Sequence, residues 1–199
     1  MGQGKGMRRA GAMLVLLALT ACAERDLWPA ERLDPKSAVN VTLMAEPWVY
    51  ARPVPMLAAN ARDYLNIGVM ETNRMGERAY WLGVVSWSTI DRSPFAEAGA
   101  IARPERIRLG WKDAVLVLSP APGGRAAAGL SAPAFTRPAE RFADAWYPLT
   151  AADVLRLGAA APETVALVTA DGTGTTYDAW QVDSSAMTEF LKATGLDRP

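Results

Sequence analysis

The stretch "DYLNIGVMETNRMGERAYWLGVVSWSTID", residues 63 to 91, decides the fold. In its first arm Leu65, Ile67 and Val69 alternate with Tyr64, Asn66 and Gly68. Side chains of a strand point to opposite faces with a period of two, so this pattern predicts a β-strand. Asn73 and Gly76 then supply turn chemistry, and a second strand-like run follows over 79 to 90. The two arms read as a hairpin. The second arm sets Trp81, Val85 and Trp87 on one face and Tyr80, Leu82, Val84 and Ile90 on the other. Apolar residues on both faces predict an interior strand covered on each side.

Working outward, "VNVTLM" (39 to 44) alternates Val39, Val41 and Leu43 against Asn40 and Thr42. "WVYARPVPML" (48 to 57) is bounded and interrupted by Pro47, Pro53 and Pro55. Proline cannot donate to a ladder, so this stretch predicts an edge strand or a bulged connection rather than a central strand. Residues 91 to 104 read as a polar, proline-containing loop, and "AVLVLS" (114 to 119) as a short strand. "PAPGGRAAAGLSAPAFTRP" (120 to 138) is low in complexity. So long a loop is uncommon in a compact domain and predicts either mobility or function.

Two helices are predicted. Thr150 caps "AADVLRLGAA", with Asp153 three residues on and Val154, Leu155 and Leu157 as the apolar stripe. Asp183 or Ser184 caps "SAMTEFLKAT", where Met187, Phe190 and Leu191 share a face and Gly195 is a natural stop. Between them "ETVALVTADGTGTTYDAWQV" reads as two strands about a glycine-rich turn. The expected class is α+β, mainly β: β-sandwich-like antiparallel sheets with two short helices in the C-terminal part.

Composition excludes much chemistry. The chain has no histidine and a single cysteine, Cys22. Zinc sites built from His or Cys, disulfides, dithiol redox chemistry and Ser-His-Asp or Cys-His catalysis are therefore closed to it. No metal and no cofactor is expected. Lysines outside the first 21 residues are Lys36, Lys112 and Lys192, none in a Ser-x-x-Lys spacing. The acidic and basic residues balance, 21 of each, and three of the bases (Lys5, Arg8, Arg9) lie in the first nine residues. The remainder is mildly acidic without a basic run, which argues against nucleic acid as a partner.

Those three bases precede an apolar run from about Ala10 to Ala21. At 1.5 Å per residue the run covers roughly 18 Å, short of a bilayer core of about 30 Å. A basic start, a short apolar stretch and then small residues make a secretory signal peptide. The run ends on Leu19, Thr20, Ala21 and Cys22, an order that resembles the lipobox of bacterial lipoprotein signal peptides. The resemblance covers residues 1 to 22 only. It implies that Cys22 is acylated after cleavage before it, leaving a membrane anchor at the new amino terminus. In that family an Asp after the cysteine retains the protein in the inner membrane. Ala23 stands there, so the resemblance implies the outer membrane, facing the periplasm, with the inner membrane as the alternative. The expected organisation is a cleaved signal peptide (1 to 21), a lipidated cysteine and tether (22 to 38), and one periplasmic β-rich domain (39 to 199).

Candidate site residues are few. Tryptophans stand at 28, 48, 81, 87, 111, 146 and 180. Such rings serve as sugar-stacking platforms, as anchors for protein partners, or as core. Trp81 and Trp180 are expected in the core; Trp48, Trp111 and Trp146, beside turns, are the binding candidates. Asp63, Glu71, Asp91 and Asp113 lie on or near strand ends, where a facing pair could serve glycoside cleavage. Ion pairs with Arg62, Arg92 and Arg108 are their expected fate. "DGTGTT" (171 to 176) offers glycine N–H groups to an anion, but a strand pattern follows where a phosphate loop needs a helix, so a hairpin turn is expected. No catalytic residue is expected. The functional expectation is a non-catalytic accessory that binds an envelope protein. A carbohydrate- or cell-wall-binding module is the alternative, and a carboxylate-dependent hydrolase the third.

Overall fold

The computed structural model describes residues 27–90, 105–136, 138–169 and 172–197. They form ten strands and two α-helices: β1 (Ala30–Leu33), β2 (Asn40–Leu43), β3 (Trp48–Pro53), β4 (Arg62–Arg74), β5 (Glu77–Ser88), β6 (Arg106–Trp111), β7 (Ala114–Leu118), β8 (Phe142–Leu149), α1 (Ala151–Ala159), β9 (Thr164–Val168), β10 (Gly174–Gln181) and α2 (Ser185–Thr194). The chain is α+β, mainly β, and both short helices lie in its C-terminal part.

The hairpin of β4 and β5 is the spine. Its ladder runs unbroken from Asp63 opposite Ser88 to Arg74 opposite Glu77. The turn residues Met75 and Gly76 both have positive φ, 52° and 96°. That is the twist a two-residue hairpin needs, and only Gly adopts it without strain. Asn73 Oδ1 accepts the Gly76 N–H at 2.9 Å and closes the turn.

β8 pairs with the far side of β5. The near side of β4 is long enough to hold two strands end to end, β3 along residues 62–67 and β2 along 70–73. From β3 the sheet continues through β10, β9 and β6 to β7; from β2 it ends at β1. Every pairing is antiparallel, and the strands join in one curled sheet instead of separate layers.

Inside the curl lies the main core. Leu65, Ile67 and Val69 of β4 meet Leu82 and Val84 of β5, Ile107 and Leu109 of β6, and Val165 and Leu167 of β9. The helices fill the concavity. Val154 and Leu157 of α1 and Ala186, Met187 and Phe190 of α2 are buried, and burial of each large side chain contributes about 1.5–3 kcal/mol. Thr150 and Asp153 form a reciprocal capping box on α1. Gly195, at φ 67°, ends α2.

Three sequence expectations are corrected. β3 lies between β4 and β10, so it is an interior strand. Its prolines stand before it, at its last residue and beyond it, leaving residues 48–52 free to pair. The segment expected to tether the domain enters the fold by residue 30: β1 pairs with β2, and Asp34 is buried at 3% exposure. The low-complexity loop is packed as a layer of the fold; residues 120–136 are a strap across the outer face of the sheet. Ala128, Leu130 and Ala134 of the strap bury against Val39, Val41, Leu43, Met70 and Trp146.

The strap is clasped by the β1–β2 turn. Asp34 accepts hydrogen bonds from the Ser131 backbone N–H (2.8 Å) and hydroxyl (2.9 Å), and from the N–H groups of Lys36 and Ser37 (3.1 Å each). Arg32 donates to the Pro133 carbonyl at 3.0 Å. Phe135 then lies over Gly68 and Gly83, which face each other across β4 and β5. A Cβ at either glycine would come within 2.5 Å of that ring, so the strap can seat only where both positions lack a side chain.

Candidate functional site

Strand parity puts Arg62, Tyr64 and Asn66 of β4 on the outer face, beside Val85 and Trp87 of β5. On β10, Thr176 and Asp178 project to the same outer face about the buried Tyr177, and alternation carries Trp180 there as well. The result is a cluster of three aromatic rings and a guanidinium. Tyr64 stacks on Trp87 with centroids 4.4 Å apart and planes inclined by 13°. Trp180 meets Tyr64 edge-on at 6.3 Å and 82°. The Arg62 guanidinium carbon sits 4.6 Å from the centroid of Trp180. Asn66 Oδ1 accepts the Trp87 indole N–H at 3.0 Å and fixes that ring.

Trp180 differs from five of the other tryptophans. Trp48, Trp81, Trp87, Trp111 and Trp146 all donate their indole N–H within the chain. Trp180 is 58% exposed, and among the described residues its N–H has no acceptor. The expectation that it belongs to the core is overturned: Trp180 follows Thr176 and Asp178 on the outer face of β10, opposite the buried Tyr177.

The tryptophans named as binding candidates lie elsewhere. Trp48 is 1% exposed and donates to the Asp183 carbonyl beside α2; Trp146 is 2% exposed beneath the strap. Neither presents a ring to solvent. Trp111 is half-buried and ties β6 to the end of α1 through the Ala160 carbonyl at 2.8 Å. Trp81 packs under the strap and donates to Thr72 Oγ1.

Two of the candidate carboxylates are buried and paired, with partners other than those expected. Asp63 pairs with Arg52, its cross-strand neighbour on β3, at 2.7 Å. Glu71 accepts from Arg78, which also donates to the Thr194 carbonyl at the end of α2. Donation to Glu71 raises the Arg78 pKa above its ordinary value. Asp63 and Glu71 stand eight residues apart on one strand, roughly 26 Å at about 3.3 Å per residue. Glycoside cleavage needs carboxyls about 5–9.5 Å apart, so these two do not form such a pair. Asp113 sits exposed in the β6–β7 turn, and Arg62 and Arg108 bind neither carboxylate. Asp91 and Arg92 lie outside the described residues, as do Cys22 and its neighbours Leu19, Thr20 and Ala21.

The glycine-rich turn joins β9 to β10 as a hairpin, and no helix follows it. A narrow cavity lined by Val85, Phe135, Phe142, Asp144 and Trp146 holds about one water molecule. Among the described residues no group of His, Cys, Asp or Glu is arranged to hold a metal ion, and no helix is long and apolar enough to cross a membrane.

The fold and site thus define an α+β, mainly β chain whose outer face displays an aromatic–arginine cluster. No family model, curated protein or solved structure matches it.

Sequence reasoning missed Arg62 and Tyr64 as members of a site. Their parity with Asn66 and Trp87 was the available signal, as was that of Trp180 with Thr176 and Asp178 on β10.

Proposed function

We propose that the chain is an outer-membrane lipoprotein, anchored through Cys22 and facing the periplasm, that binds an envelope protein without catalysis. The observation that carries the binding role is the Trp180–Tyr64–Trp87–Arg62 cluster. Tryptophan, tyrosine and arginine are the residues that dominate protein-binding energetics when held rigid at a surface. Here the rings of Tyr64 and Trp87 are fixed on paired strands, while Trp180 projects with no acceptor for its N–H among the described residues. The leader motif at Leu19 to Cys22 supports the anchor.

In-cell crosslinking followed by mass spectrometry tests the partner. A reproducible protein should be captured by the wild type and lost on Trp180→Ala; glycan alone, with no protein, would sink the reading. Cys22→Ser should abolish fatty-acid labelling and membrane fractionation.

A carbohydrate- or cell-wall-binding module is the second reading, favoured by the stacked aromatic rings. Against it, the Arg62 guanidinium already lies over Trp180. Saturable binding of peptidoglycan fragments that Trp180→Ala removes would select it.

A further inference from the structure

The sheet ends on three strands, and two of those ends are guarded. β1 carries Glu31 and Arg32. β8 carries Pro148, and its Trp146 carbonyl accepts the Ala121 N–H at 2.8 Å. Charges, proline and a covering segment are the devices that keep an edge from pairing with another chain. Among the described residues β7 has none of them. It reads Ala-Val-Leu-Val-Leu, pairs only with β6, and leaves Val115 and Val117 45% and 53% exposed on the outer face. Among the described residues its second edge pairs with nothing.

We propose that β7 is the dimerisation edge of this protein: a second copy adds its own β7, antiparallel and centred on Leu116, so that the two sheets become one. A two-fold contact must be self-complementary, residue i meeting j where j meets i. The segment Val115-Leu116-Val117 reads the same in both directions. About Leu116, each Val115 faces the other copy's Val117, and Leu116 faces itself.

The charges agree with this register. Arg106 opposes position 119 on β7, since Ile107 opposes Leu118. Position 119 is Ser, and in the dimer it faces Asp113 of the second copy. Arg106, Ser119 and that Asp113 then lie in one row across three strands, with the Arg and Asp backbones roughly 10 Å apart. A long arginine reaching over a small serine spans that gap. Both Arg106 and Asp113 are exposed, and neither makes an ion pair among the described residues. The symmetry supplies this pair twice. By the same register the row through Arg108 ends on Gly110 of the second copy.

A five-residue strand pair is a small interface, so the dimer should dissociate on dilution. Sedimentation velocity of the purified protein over rising concentration is the test. Wild type should shift from monomer to dimer mass, and Val117→Lys, at an exposed position, should remain monomeric. Arg106→Asp or Asp113→Arg alone should lower the association constant roughly tenfold, because two attractive pairs become two repulsive ones. The double variant Arg106→Asp/Asp113→Arg should restore it. A wild type that stays monomeric at the highest concentration overturns the proposal, and a double swap that fails to rescue overturns the register. A photocrosslinker at position 117 adds the view from cells. Self-crosslinking supports the dimer, and capture of a different protein without self-crosslinking overturns it.

Discussion

On β4 and β5 the outer face carries Met70, Trp81 and the glycine pair under Phe135; on β9 and β6 it carries Thr164, Ala166, Arg106 and Arg108, open to water. The inner faces of both regions bury the same kind of residue, Val, Leu and Ile. What separates them is the strap. Where the outer positions are apolar they have had to be covered, and residues 120–136 do so. Where the outer positions alternate to polar, one buried face suffices. A single sheet therefore combines a region closed on both faces with a region closed on one, and the aromatic cluster lies where the strap no longer covers the outer face.

The sharpest way to break this contrast is Trp146→Ala. Trp146 is 2% exposed between the sheet and the strap, stacked at 5.8 Å on Phe135. Removing so large a buried ring should cost about 3–5 kcal/mol in chemical denaturation. A cost under about 1 kcal/mol would mean that the strap is not a structural layer.

Acid should loosen the same layer from the clasp. The Ser131 N–H, with the Ser131 hydroxyl and the Ser37 and Lys36 N–H groups, holds the Asp34 carboxyl well below its ordinary 3.8. The folded state thus favours the carboxylate. Its contribution is complete above the unfolded pKa and fades as pH falls from about 4 toward the lower folded value. Thermal unfolding followed against pH should show wild type losing Tm below pH 4 more steeply than Asp34→Asn. Parallel curves would remove Asp34 from the clasp.

These features were unequally legible in the sequence. Alternation over 63 to 90 exposed the hairpin and its two-sided burial because both faces repeat with the period of the strand. It could not show that residues 120–136 are the cover. Ala128, Leu130 and Ala134 lie in a Gly/Pro/Ala-rich stretch that forms no strand, and the seat of Phe135 beside them depends on Gly68 and Gly83, far away in sequence. β3 was misplaced because proline was weighed by number when its position mattered. Trp180 was misplaced because an apolar ring was weighed by its type, whereas its parity with Thr176 and Asp178 sets it on the outer face. The candidate site follows from parity strand by strand, Arg62 and Tyr64 on β4, Trp87 on β5 and Trp180 on β10, but that these strands lie close together depends on pairings far apart in sequence.

Two buried tyrosines on the inner face sharpen the comparison at smaller magnitude. Tyr50, on β3, donates to the Pro162 carbonyl at 2.8 Å. Tyr147, on β8, is 0% exposed, and its hydroxyl has no partner among the described residues. Burial pushes both phenols above their ordinary pKa, so each stays neutral in the folded protein. Tyr50→Phe should cost about 1 kcal/mol through the lost hydrogen bond, while Tyr147→Phe should be neutral or stabilise by up to about 1 kcal/mol. Equal losses at both sites, measured by denaturant midpoints, would show that the Tyr147 hydroxyl is satisfied after all.

The smallest effect is expected on the region closed on one face. Thr176 of β10 projects outward, exposed, beside Ala166 of β9. No strap residue among those described reaches it, so nothing should be lost when its side chain is shortened. Thr176→Ala should change stability by no more than about 0.5 kcal/mol, the reduced strand propensity of alanine being the main contribution. A loss above about 1 kcal/mol would reveal a packed layer over β9 and β10, and with it a sheet closed on both faces throughout. The same substitution also bears on the site. Trp180 lies on the same strand, so a Thr176→Ala chain that keeps its stability yet loses its partner would extend the binding surface from the aromatic cluster onto the open strands.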